Sequence, residues 1–140
     1  MSSIYLDVRS SFDAALKAVA DANGVKVAWE NMEYANSDDL YLSQYFVSFD
    51  TAVGSLGDSG LDESIGIYQI NVHSKKDIGA RPIDKLADEI ADAFKIRSSL
   101  THNGVTSRVT SVFRNPIQND EGNIFIPIDV EFKTFTEQRT

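Results

Sequence analysis

The tetrapeptide Gly57-Asp58-Ser59-Gly60 sets a serine between two glycines and beside a carboxylate. That order surrounds the nucleophile in one class of serine protease. A serine hydroxyl attacks only when a base takes its proton and a third group orients that base. The bases on offer, His73 and His102, both follow the serine, whereas in that protease class histidine and aspartate precede it. Leu61 stands where the motif would continue with glycine. The spacing Gly54, Gly57, Gly60 therefore predicts a flexible loop over 51–64 rather than a hydrolase.

Other chemistry fares no better. A phosphate cradle needs a helix start behind its glycines; here a β-rich stretch follows, and Asp58, Asp62 and Glu63 would repel phosphate. The same acids lack the regular alternation of a calcium loop. Asp84, Asp88 and Asp92 recur at four-residue steps, but no histidine joins them and Lys85 and Lys95 interleave, which describes a solvated helix face. Catalytic residues, metal ligands and cofactors are thus expected to be none, and the chain is expected not to be an enzyme.

The bulk numbers agree. No cysteine is present, so thiolate chemistry and disulfides are excluded. A net charge of −8, from 13 basic and 21 acidic residues, disfavours nucleic-acid readers and anionic membranes as partners. An acidic surface facing DNA would instead repel it. "MSSIYLDVRSS" lacks the basic-then-apolar order of a signal peptide, and no run of 18 apolar residues predicts a membrane span. A length of 140 residues suits a single domain over 1–140.

The elements that would position any site follow from periodicity. Ile4, Val8, Phe12, Ala15, Leu16 and Val19 form one stripe of a helix over 3–22, with Asn23-Gly24 as its stop. Val25, Val27 and Trp29 alternate as a strand, with Trp29 read as core. Residues 40–50 and 64–74 predict two further strands, the second central. Pro82 opens a helix over 82–96 whose apolar face is Ile83, Leu86, Ala87, Ile90, Ala91 and Phe94. In 105–113, Val105, Val109 and Phe113 are expected on one side. In 122–135, Ile124, Ile126, Ile128, Val130 and Phe132 point inward, and Pro127 predicts an edge position or a bulge. The order α-β-β-β-α-β-β indicates an α+β fold: a mixed, mainly antiparallel sheet packed by two amphipathic helices.

The segments "VAWEN" at 27–31, "IGIYQINV" at 65–72, "PIDKLADEIADAF" at 82–94 and "IPIDVEF" at 126–132 occur in this order. Together they resemble the tail terminator proteins of long-tailed bacteriophages, the family of lambda's tail terminator, over about residues 4–134. The residues carrying the resemblance include Trp29, Glu30, Asn31, Gly66, Ile67, Tyr68 and Gln69. The chain departs from the pattern in "EYANSDDLYLSQYF", which lacks the proline found there in many members.

The resemblance implies a structural virion protein. Six copies would form a ring on the head-proximal end of the tail tube, stop tube growth, and offer the surface that joins the head connector or neck. DNA would pass through without specific binding, and assembly would occur in the host cytoplasm. In such a ring Leu56, Gly57, Asp58, Ser59, Gly60, Leu61, Asp62 and Glu63 are the candidate arm toward a neighbour or the tube. The alternatives are another head–tail junction protein, or an unrelated small enzyme or ligand-binding domain.

Overall fold

The computed structural model describes residues 4–30, 40–53, 61–75, 80–120 and 122–137. Along the chain run α1 (Ile4–Asn23), β1 (Lys26–Ala28), β2 (Leu40–Val53), β3 (Leu61–Lys75), α2 (Ala80–Ala93), β4 (Ser99–His102), β5 (Val105–Arg114), β6 (Gln118–Asp120) and β7 (Asn123–Glu137). The strands form one sheet in the order β1-β2-β3-β7-β5-β4, with β6 also pairing β7. β1 runs parallel to β2 and every other pair is antiparallel. The α+β expectation holds, with the short strands β4 and β6 added.

The end of α1 shows why Asn23-Gly24 stops a helix. Gly24 takes φ +65°, its N–H reaches the Asp21 carbonyl at 3.3 Å, and the Val25 N–H reaches Ala20 at 3.0 Å. This pair of bonds satisfies carbonyls the helix would otherwise orphan. The Asn23 side chain adds a third, donating to the Val19 carbonyl at 2.9 Å.

Both helices cover one face of the sheet. Val8, Phe12 and Leu16 of α1 and Ile83, Leu86, Ile90 and Phe94 of α2 join Tyr68, Ile70, Val72, Ile126, Ile128, Val130 and Phe132 in one buried cluster. Phe12 sits at its centre, with ring centroids 4.6 Å from Phe132, 5.0 Å from Tyr68 and 5.9 Å from Phe94.

Three expectations need correction. Residues 51–53 and 61–64 belong to strands, not to a loop: Val53 pairs with Asp62, and Leu61 with Glu137. Only 54–60 of the expected loop lies outside the described residues. The segments "TAV" at 51–53 and "LDES" at 61–64 are too short to show an apolar alternation, so their sequence reads as loop.

Second, Pro127 is buried in β7, between β3 and the β5–β6 side of the sheet. The chain tolerates it there because β7 changes partner at that point. β6 pairs Phe125 and β5 pairs Ile128. The Pro127 carbonyl accepts from the Asn115 N–H at 2.9 Å and from its side-chain amide at 3.0 Å. In a strand a residue's N and carbonyl share a side, so the missing N–H faces this break rather than β3.

Third, Phe113 does not share a face with Val105 and Val109. The register of β5 on β7 slips between Val109 and Ser111. This bulge at Thr110 turns Val112 and Arg114 toward the helices and leaves Phe113 on the other face, 59% exposed.

Candidate assembly surface

The face of the sheet opposite the helices is built from cross-strand rows. Tyr41, His73 and Phe125 form one, Ser43, Asn71 and Pro127 the next, and Tyr45, Gln69 and Asp129 a third. In the first row the His73 ring stacks on Tyr41 at 4.4 Å and on Phe125 at 5.6 Å. His73 Nε2 and Ser43 Oγ are 2.7 Å apart. That distance suits a nucleophile and its base. Both imidazole faces are nevertheless covered, and Ser43 is buried, so the pair is a structural contact between β2 and β3. Gln69 donates to Asp129 at 2.8 Å.

From the third row onward this face mixes exposed apolar side chains with polar and charged ones, Glu131 opposite Ile67 and Lys133 opposite Ile65. Tyr45, Val47, Ile65 and Phe113 are each more than 40% exposed. Gln69 and Asp129 separate Tyr45 from Phe113 in the third row, so these apolar side chains are interspersed with polar ones.

The family-pattern residues divide by face. Tyr68 and Gly66 point to the helices, while Ile67 and Gln69 lie on the open face. Trp29 packs partly buried against the core, as expected. With Val25, Val27, Ala20 and Lys17 it also lines a groove of about 300 Å³ between α1 and β1. Asn31 lies outside the described residues.

Glu30 has a structural task that spacing alone did not reveal. Its carboxylate accepts from the Phe46 N–H at 3.1 Å and from the Arg9 guanidinium. Its own N–H donates to Gln44 Oε1 at 2.8 Å. Glu30 thus continues the edge of β2 with side-chain bonds where β1, paired only with Tyr41 to Ser43, has ended. Arg9 also lies over the Phe46 ring at 5.8 Å.

The same network reaches the core. Tyr68 donates to Asp13 Oδ1 at 2.5 Å and Gln44 Nε2 donates to the same oxygen at 3.2 Å. Burial pushes the Asp13 carboxyl above its ordinary value, against the opposing pull of the Tyr68 hydroxyl and of Arg9. Burial also pushes the Tyr68 hydroxyl far above its ordinary value, and the charge on Asp13 adds to it.

Among the described residues no cluster of histidine, aspartate and glutamate has the arrangement of a metal site. Asp84 and Asp88 instead face Arg114 of β5, Asp88 at 2.9 Å from Nη1. Of the candidate arm, Leu61, Asp62 and Glu63 belong to β3, and Leu56, Gly57, Asp58, Ser59 and Gly60 lie outside the described residues.

The molecule is therefore a sheet with helices on one face and a partly apolar second face. The family model described as phage tail terminator protein matches residues 7–132, and the chain belongs to that family. Its class is that of phage tail structural proteins. No curated protein matches. One solved chain without a functional description is 21% identical, with a TM-score of 0.73 over 94% of this chain and 96% of that one. Another, from the virion of a native gene transfer agent particle, is 15% identical, with a TM-score of 0.63 over 99% of this chain and 100% of that one. At those identities the likeness establishes the shared fold.

Proposed function

We propose that this chain closes the head-proximal end of a phage tail tube as a ring of six copies. The ring stops the addition of tube subunits and presents the surface that the head connector or neck engages. DNA passes through its centre. The family match over 7–132 carries this reading. The structural neighbour in a gene transfer agent virion supports it, since a chain of the same fold is part of such a particle. The exposed apolar residues on the helix-free face supply a surface for contact with other subunits.

The segment Leu56 to Gly60, at the end of the β2–β3 pair, is the arm toward the neighbour or the tube. Leu61, Asp62 and Glu63 fix its base within β3.

Light scattering across a concentration series tests the ring, combined with negative-stain imaging alone and with tail-tube ends. Six-fold rings, free or on tube ends, are expected. A chain that remains a monomer and ignores tube ends at every concentration would overturn the reading.

A further inference from the structure

The strand registers place two open edges of the sheet at one level. Across five strands the paired residues form the row Thr51, Ser64, Thr134, Ser107, Leu100, and beside it the row Asp50, Ile65, Lys133, Arg108, Ser99. The last stretch of β2 and the whole of β4 therefore lie at the same height on opposite sides of the sheet.

Among the described residues neither edge has a strand beyond it. β1 pairs β2 only at Tyr41 to Ser43, and the Glu30 carboxylate takes the next outward N–H at Phe46. A bulge follows between Phe46 and Ser48. From there to Val53 no described strand pairs with the outer side of β2, and β4 ends the sheet order of the described strands on its own side.

The outward groups of β4 can be assigned. Asn103 and Gly104, at φ +50° and +79°, make a two-residue hairpin turn closed by the pair His102 and Val105. That closing pair exchanges its backbone bonds, so alternate residues face inward. At the far end of β4, Arg97 donates to the Val109 carbonyl and the Val109 N–H donates to Ser98, each at 2.9 Å, which fits the same phase. Leu100 and His102 thus face β5, and Ser99 and Thr101 present N–H and carbonyl groups outward. An unpaired edge of this kind is a template for another strand.

We propose that β4 of one copy pairs with the Ser48–Val53 stretch of β2 in the next copy. The sheet then runs from subunit to subunit. Two different edges meet, so the contact is heterologous, as a ring requires. β4 and β2 point the same way within the sheet, since three successive antiparallel steps separate β3 from β4 and one separates β3 from β2. Rotation about an axis along the strands preserves direction, so the new pair is parallel, like β1 on the same edge of β2. Matched height matters for closure. A subunit displaced along the strands would generate a helical filament, whereas equal levels let the rotation close. This assignment rests on the ring reading above and specifies its contact.

The chain's lack of cysteine makes the contact readable by cross-linking. Thr101→Cys is combined with Thr51→Cys, Ala52→Cys or Val53→Cys, in solution and on tail-tube ends, under mild oxidation; paired strands bring Cα atoms within disulfide reach. Lys85→Cys on the exposed side of α2 serves as the control. Mixed variants should give a heterotypic dimer exceeding either homotypic product about tenfold, as an in-register pair raises effective concentration. A double variant should give a ladder ending in a closed species.

Homotypic products as abundant as the mixed one would overturn the assignment. So would rings that image normally yet show no β4–β2 product, an outcome that leaves the ring reading standing. A chain that neither forms rings nor binds tube ends would overturn both.

Discussion

At the residue scale, the buried polar network under α1 separates two kinds of charge. The Tyr68 hydroxyl is fully buried and donates to Asp13. Its folded pKa lies above its ordinary value of 10.0. An unfolded chain releases that proton more readily, so the stabilisation is present below about pH 10 and is lost as pH rises beyond it. The Asp13 carboxyl is also raised, from 3.8. Its contribution is fully present below that value and declines as pH rises through the folded pKa, so Asp13 does not drive acid unfolding. Tyr68→Phe should cost about 1.5–3 kcal/mol at neutral pH, the range for a bond to a charged acceptor. It should also remove the Tyr68 share of the alkaline loss. Urea midpoints from neutral to alkaline pH test this; parallel curves for the variant and the parent would refute the assignment. The Arg114 contacts to Asp84 and Asp88 are different. The acids are 45% and 76% exposed, and exposed pairs contribute about 0–1 kcal/mol. Arg114→Ala should therefore barely move the thermal midpoint, and a shift as large as that of Tyr68→Phe would contradict the contrast.

At the element scale, the two helices were legible because each buries one face and shows a three-to-four residue repeat. The Asn23-Gly24 stop was legible for the local reason that only a few residues accept its backbone angle. The bulge at Thr110 was not. A one-residue slip exchanges every later side chain between faces, and "VTSRVTSVF" alternates plausibly in either phase. The partner strand decides: Val112 pairs with Val130 and joins the helix-side core margin. β4 escaped notice because Leu100 is its one apolar residue, too little for a period. The ends of β2, β3 and β7 escaped because pattern reading needs a repeat of apolar residues, and "LDE" at 61–63 is too short to show one. The bulge carries a prediction. Deleting Thr110 forces either Val105 and Val109 or Val112 off the core face, a loss on the order of 2–4 kcal/mol from buried side-chain area. Thr110→Gly keeps the residue count and should cost about 1 kcal/mol or less. Chemical denaturation of both variants decides; equal losses would mean that the extra residue does not set the phase.

At the scale of the whole molecule, the resemblance in four segments identified the family, but no segment showed how copies meet. The proposed contact rests instead on strand registers, which join residues far apart in the chain, such as Thr51 and Leu100. Assembly also acts on the total charge. Each copy carries −8, so in the proposed ring six copies would repel one another at long range, while the proposed edge pairing and apolar contact would act at short range. Salt weakens the first and spares the second, because the screening length falls from about 30 Å at 0.01 M to about 10 Å at 0.1 M. Ring formation should therefore strengthen as sodium chloride rises through that interval, with a larger assembled fraction at fixed protein concentration. Light scattering against salt measures it directly. Dissociation of rings over the same interval would show that opposite charges across the contact outweigh the net repulsion, and charged groups rather than backbone edges and apolar side chains would then hold the copies together.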